Sequence, residues 1–171
     1  MTHPPGGAHH HESAPPPAAD DRGHVLLVGS AGGHLAQLVR LGPWWQDLVR
    51  TWVTFDKPDA RSLLADEAVI WAHHPTTRNI PNLIRNTGLA IRQVRRLRPD
   101  LVVSTGAGVA VPFFVVARLL RIPTVYVEVF DRIDSPTVTG RMVRPFCTRF
   151  CVQWPEQQPL YKGSIVIGPL L

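Results

Sequence analysis

Short runs rich in β-branched residues alternate with longer helical segments along nearly the whole chain. Strands are predicted at 24–28, 51–55, 68–71, 101–104, 124–127, 149–153 and 165–167, and helices at 33–41, 59–66, 81–97, 109–121 and 139–146. This order is typical of a parallel sheet, because parallel strands need crossover connections and these are usually helices. We therefore expect an α/β fold with a Rossmann-like parallel sheet and helices on both faces.

The chain of 171 residues has room for one such domain, which we assign to residues 23–171. Residues 1–22 are rich in Pro and His and contain no apolar run, so they are expected to form a disordered tail rather than a signal peptide or a membrane span. No segment reaches the roughly 20 apolar residues that a spanning helix needs. Any membrane contact is therefore expected to be peripheral.

A first glycine-rich turn follows the first predicted strand and leads into a helix. It contains Gly29, Ser30, Gly32 and Gly33 and ends at His34. Small residues allow a close approach of the backbone to a ligand, and the free amides of a helix start favour a phosphate. His34 is a candidate general base or phosphate contact. The alternative is a histidine that only satisfies the helix N-terminus.

A second glycine-rich turn, with Thr105, Gly106 and Gly108, follows the fourth predicted strand. It also leads into a helix, so we expect these residues to bind an acceptor group or a phosphate. Glu128 lies where a ribose-binding acid would follow a dinucleotide motif, which keeps a dinucleotide-dependent oxidoreductase open. Val111 in place of the third glycine argues against it.

Positive charge is the third feature, with a net charge of +5 that comes almost entirely from arginine. The predicted helix 81–97 carries Arg92, Arg95 and Arg96 beside an apolar stripe, and the helix at 109–121 is almost wholly apolar. Together they predict a peripheral membrane patch or an acceptor contact. The alternative is that both helices simply cover the sheet. Nucleic-acid binding is not expected, because the charge is dispersed and no recognised module is present.

The two turns together with later segments resemble a known family. The segments are 29–38, 99–112 and 128–153, followed by Trp154-Pro155-Glu156 and Gly168-Pro169-Leu170. They resemble the Alg14 family and its bacterial exopolysaccharide relatives, from residue 24 to residue 171. That family is similar to the N-terminal, acceptor-side half of the MurG-type glycosyltransferases, which have the GT-B fold.

The resemblance implies a role in a two-subunit enzyme. A UDP-sugar would bind mainly to an Alg13-like partner, and this chain would contribute contacts to a lipid-linked acceptor and to the membrane. Gly32, Gly33 and His34 match the first glycine loop of such enzymes, and Thr105, Gly106 and Gly108 the second. Glu128 matches the family's acidic position after the fifth strand. Eukaryotic members carry an N-terminal membrane anchor, whereas a Pro/His-rich tail stands at that place here.

The leading hypothesis is thus a glycosyltransferase subunit, inactive alone, at the cytoplasmic face of a bacterial plasma membrane. His34 would act as general base and Glu128 as a supporting polar contact, with no metal and no cofactor. A second hypothesis is a scaffold that recruits and activates the donor-binding subunit without supplying a reacting group.

Overall fold

The computed structural model describes residues 22–170 and contains a seven-stranded sheet in which every neighbouring pair is parallel. The strands are β1 (His24–Val28), β2 (Val49–Phe55), β3 (Val69–Ala72), β4 (Leu101–Ser104), β5 (Thr124–Val127), β6 (Arg149–Val152) and β7 (Ile165–Val166). Their order in the sheet is β3-β2-β1-β4-β5-β6-β7. The expected Rossmann-like parallel sheet is confirmed. The predicted tail 1–22 lies outside the described residues except for Arg22.

Helices join successive strands. They are α1 (Gly33–Arg40), α2 (Gly42–Trp45), α3 (Pro58–Leu63), α4 (Ile80–Leu97), α5 (Ala110–Leu119) and α6 (Val138–Val143), with 3-10 turns at Arg144–Phe146 and Pro155–Leu160. The short helix α2 was not predicted, because four residues that begin with Gly-Pro show no helical period. Among residues 22–170, no helix is both long and apolar enough to span a bilayer.

Both faces of the sheet are covered, as expected. Leu26 and Val28 of β1 pack on one side with α4 and α5, whereas Val25 and Leu27 pack on the other side with α1 and α3. This alternation follows from the two-residue period of a strand. Because β1 and β4 are neighbours, the crossover direction reverses between them, and the crevice at their carboxyl ends is where such sheets bind ligands.

Helix α5 corrects the predicted membrane patch. Its residues Phe113, Phe114 and Ala117 are fully buried, since the helix packs against the centre of the sheet and against α4. Only the end of the helix leaves apolar side chains exposed, at Leu119 and the following Leu120. The apolar character of α5 therefore belongs to the core.

Helix α4 also differs from its predicted stripe. Asn82 and Asn86 are buried, whereas Ile84 and Ile91 are exposed. The reason is a set of hydrogen bonds: Asn86 Oδ1 accepts from the His73 amide and Asn86 Nδ2 donates to the His73 carbonyl, both at 2.9 Å. Two asparagines thus turn a polar face inward, and part of the apolar face points to solvent.

Candidate functional site

The two glycine-rich turns meet through a pair of hydrogen bonds between His34 and Thr105. The Nδ1 atom of His34 lies 2.9 Å from the Thr105 carbonyl oxygen, and the Thr105 hydroxyl donates to the His34 carbonyl at 2.7 Å. Because a carbonyl can only accept, Nδ1 carries the proton in this arrangement and Nε2 is left as a base. The contact spans 71 positions of sequence and fixes the ring at the switch point of the sheet.

Gly106 is required next to this ring. Its φ is +130°, and a Cβ built there would lie 2.6 Å from His34 Cε1 and 2.8 Å from His34 Nδ1. A side chain at this position would therefore displace the imidazole. The Gly106 amide donates to Ser104 Oγ at 3.0 Å, so this N–H already has a partner within the protein.

A cavity of about 370 Å³ lies beside His34 at the carboxyl ends of β1 and β5. Its volume lies within the range of small-molecule sites. Residues from the first turn, from α1 and from the segment after β5 line it: Gly33, His34, Gln37, Ala107, Tyr126, Glu128, Val129, Phe130, Asp131, Arg132, Thr137 and Thr139. Of the residues that the sequence singled out, Gly33, His34 and Glu128 thus come together.

Glu128 is fully buried, and its carboxylate is held by protein groups. It accepts from the Thr137 hydroxyl at 2.9 Å, from the Val129 amide at 3.0 Å and from the Tyr161 hydroxyl. Thr137 in turn caps α6 by accepting from the Gly140 amide at 2.9 Å. These contacts favour a positioning role for Glu128, which shapes the segment 128–137, over the expected role as a supporting polar contact to a ligand. They also occupy the carboxylate that a ribose-binding function would need.

Two tyrosines adjoin this carboxylate. Burial raises the pKa of Tyr161, and the hydrogen bond to Glu128 and its negative charge raise this pKa further. Burial, followed by the charge of Glu128, also raises the pKa of Tyr126 well above its ordinary value. Both phenols therefore stay protonated at neutral pH and can act only as neutral hydrogen-bonding groups.

The beginning of the segment 128–137 is positioned by hydrogen bonds that its backbone carbonyls accept. Gln153 donates to the carbonyl of residue 128 at 2.9 Å, the Trp154 indole to that of Phe130 at 3.0 Å, and Gln157 to that of Val129 at 2.7 Å. Gln153 and Gln157 are fully buried. A segment without regular secondary structure thus acquires a defined position.

The remaining predicted residues of the first turn are placed differently. Gly29 is buried, and a Cβ there would lie 2.9 Å from Leu38, so this glycine serves packing. The Gly32 amide donates to Asp59 Oδ2 at 2.8 Å, which leaves this N–H with a protein partner. Neither these two nor Ser30 lines the cavity.

In the second turn, a Cβ at Gly108 would lie 3.2 Å from Thr76, so this glycine allows a close loop contact. Neither Gly108 nor Thr105 lines the cavity. Arg92, Arg95 and Arg96 are exposed on α4 and do not line it either. The structure therefore does not bring the arginines to the site.

Sequence reasoning missed several residues of the site. Gln37 lies three positions after His34, so helical spacing alone could have placed it on the same face. Gln153 and Gln157 had no such signal. They donate to the carbonyls of residues 128, 129 and 132, which lie 25 or more positions away in the sequence. Tyr126 is a strand residue whose side chain reaches the cavity only because of the sheet order.

Comparison with known proteins gives a family match. A family described as "Oligosaccharide biosynthesis protein Alg14 like" matches residues 72–170, which is more than half of the chain. The mouse UDP-N-acetylglucosamine transferase subunit ALG14 is 26% identical, with 86% of this chain and 82% of the mouse protein covered. The human protein of the same name is 32% identical over 48% of this chain and 41% of its own length.

A solved structure shares the fold. MurG from Acinetobacter baumannii superposes with a TM-score of 0.69 at 20% identity, and the match covers 85% of this chain but 44% of MurG. The chain thus spans less than half of that protein. The expected GT-B half-domain is confirmed at the level of the fold.

Proposed function

Since this chain belongs to the Alg14 family, we propose that it is the acceptor-side subunit of a two-component glycosyltransferase. The matched mouse and human proteins are named subunits of a UDP-N-acetylglucosamine transferase. The donor we propose is therefore a UDP-sugar, with UDP-N-acetylglucosamine as the first candidate. The proposed acceptor is a hydroxyl of a lipid-linked molecule.

The observation that carries this proposal is the orientation of His34. Its Nδ1 is committed to the Thr105 carbonyl, and the ring lines the cavity with Nε2 left as a base. A general base must reach the proton that it removes, and histidine is the side chain that most often has this role in enzymes. His34 is thus suited to take the proton of an acceptor hydroxyl.

The proposed step is the transfer of the sugar from UDP to the acceptor hydroxyl. The acceptor oxygen forms a bond to the anomeric carbon of the donor sugar while the bond from that carbon to the UDP oxygen breaks. The hydroxyl proton goes to Nε2 of His34, and the negative charge leaves with UDP. General base catalysis of this kind contributes on the order of 10²- to 10⁴-fold in rate.

A partner subunit is suggested by the relatives, because the mouse and human proteins are named as subunits of a transferase. The described domain matches 44% of MurG. We therefore propose that an Alg13-like subunit supplies most of the contacts to UDP and closes the cleft over the cavity. Phe130, exposed and lining the cavity, offers an apolar surface for the lipid part of the acceptor.

We also propose that α4 makes a peripheral contact with the cytoplasmic face of a bacterial plasma membrane. Ile80, Ile84 and Ile91 are 69%, 67% and 39% exposed and lie on one face of the helix, because they are separated by four and seven positions. Arg95 adjoins this face, at about 40° from its centre for a rotation of about 100° per residue, and Arg92 lies further to the same side. An apolar stripe beside cations is typical of helices that lie in a membrane interface.

Reconstitution tests the proposed function. The chain should be expressed with and without a donor-binding subunit, and sugar transfer from labelled UDP-N-acetylglucosamine to a prenyl-pyrophosphate-linked acceptor should be measured. We expect transfer only by the pair, because half of a cleft leaves the donor with few contacts. Equal transfer by this chain alone contradicts the two-subunit proposal.

A further inference from the structure

Gln37 is a polar side chain that lines the cavity and has no role in the proposed reaction. It lies in α1 three positions after His34, is 2% exposed, and lines the same cavity. Residues three apart on a helix lie on the same face. Whatever binds beside His34 therefore also lies near the Gln37 amide.

The orientation of the Gln37 amide is fixed by Gln153. The Gln153 side-chain nitrogen donates to Gln37 Oε1 at 2.6 Å. The orientation of Gln153 follows from two backbone partners, since its nitrogen donates to the carbonyl of Glu128 at 2.9 Å and its oxygen accepts from the amide of Leu170 at 2.8 Å. A carbonyl only accepts and an amide N–H only donates, so a flipped Gln153 would lose both contacts.

Because its Oε1 accepts from Gln153, Gln37 must turn its Nε2 the other way. No group among residues 22–170 accepts a hydrogen bond from this nitrogen, and it is not among the buried polar atoms that lack a partner. This nitrogen is therefore open to solvent, and the cavity is the open space that Gln37 lines. A donor in a nearly buried side chain gains most from a ligand oxygen that can accept from it.

We propose that Gln37 donates a hydrogen bond to an oxygen of the acceptor head group beside His34, and that Gln153 is its positioning residue. This inference rests on the proposed function, because it takes the ligand of the cavity to be the acceptor. The oxygen belongs either to the pyrophosphate or to a sugar hydroxyl of the head group. Both kinds of oxygen can accept a hydrogen bond from an amide N–H.

Binding of two probes tests the contact and distinguishes a pyrophosphate oxygen from a sugar hydroxyl as the partner of Gln37. The probes are farnesyl pyrophosphate and farnesyl-pyrophosphoryl-N-acetylglucosamine, titrated calorimetrically into the reconstituted pair. Gln37→Leu should raise the Kd by about 3- to 10-fold, the value of one lost hydrogen bond. An increase with both probes identifies a phosphate oxygen, and an increase only with the sugar-bearing probe identifies a hydroxyl.

Two further variants control this experiment. Gln46→Leu makes the same chemical change at an exposed position away from the cavity and should leave both Kd values unchanged. Gln37→Glu keeps an oxygen for the bond from Gln153 but has no N–H, so it tests the lost donor with that contact retained. We expect it to weaken binding at least as much as Gln37→Leu does.

The positioning role of Gln153 is tested by a double-mutant cycle. Gln153→Met should raise the Kd more in the wild-type background than when Gln37 is already leucine, because the part of its effect that acts through Gln37 is then absent. Equal effects in both backgrounds would show that Gln153 acts on the fold instead of through Gln37. Thermal melts of each variant exclude unfolding as the cause.

The outcomes separate the two proposals. If the wild-type pair binds neither probe, the proposed acceptor is wrong and the contact of Gln37 is rejected with it. If the wild-type pair binds the probes and both Gln37 variants bind them equally well, the proposed function stands and the inference about Gln37 is overturned.

Discussion

Replacing Tyr161 by phenylalanine removes one hydroxyl from the most enclosed part of the site. This hydroxyl donates to Glu128 and accepts from the Thr137 amide at 2.9 Å. Tyr161 is 1% exposed and Glu128 fully buried. Water therefore has little access to replace either lost bond.

The size of the effect follows from these two contacts. A hydrogen bond to a charged group contributes about 1.5–3 kcal/mol, and a buried N–H left without a partner costs about 1–3 kcal/mol. Because the two costs overlap at one site, we expect Tyr161→Phe to lower the free energy of unfolding by about 2–5 kcal/mol. That is above the typical effect of about 1 kcal/mol for a substitution.

Urea denaturation of Tyr161→Phe, of Glu128→Gln and of the double variant measures this effect. Glu128→Gln keeps the shape of the side chain and removes its charge, so Tyr161→Phe should cost less in that background. A loss below about 1 kcal/mol for Tyr161→Phe, well under the range expected for these contacts, would refute the positioning role assigned to Glu128.

Three further predictions concern the turns, the membrane and pH. Gly33→Val should fold normally but lower sugar transfer by the pair, since Gly33 lines the cavity and has open space around its Cβ position. Gly106→Val should lower both transfer and the melting temperature, because the φ of Gly106 is +130°. Ile84→Glu should reduce sedimentation with anionic phosphatidylglycerol vesicles. Leu63→Glu is the control on α3 and should not reduce it, although Leu63 is 54% exposed against 67% for Ile84. Burial lowers the pKa of His24 below its ordinary value of 6.5. Below pH 6.5 the unfolded chain therefore binds more protons than the folded chain, and the free energy of unfolding should fall as the pH falls. Urea midpoints that do not change with pH in this range would contradict this.

Much of the sheet could be predicted because its central strands are buried on both faces. Leu101–Ser104 and Thr124–Val127 were predicted with the observed bounds, since each is a short run of residues with high β propensity that begins within two positions of a proline. Helix α4 shows the limit of such patterns. Its buried face includes Asn82 and Asn86, whose partners lie in the loop before the helix, and apolar periodicity gives no information about such contacts.

The sequence predicts only those parts of the site that are formed by residues close together in the chain. His34 could be identified because it follows a glycine-rich turn at the start of a helix. The contacts of Glu128 with Tyr161, and of Gln37 with Gln153, join residues 33 and 116 positions apart. Side chains that hold one another across such distances become visible only in the folded chain, which is why Glu128 was expected to act on a ligand.

The turnover of the reconstituted pair with His34→Asn tests the central claim most directly. Asparagine can keep a donor for the Thr105 carbonyl, the contact that Nδ1 makes at 2.9 Å, but it has no basic nitrogen. With the complex and its melting temperature unchanged, we predict that kcat falls by about 10²- to 10⁴-fold. Unchanged kcat in an intact complex would contradict the account and would identify the chain as a scaffold for its partner.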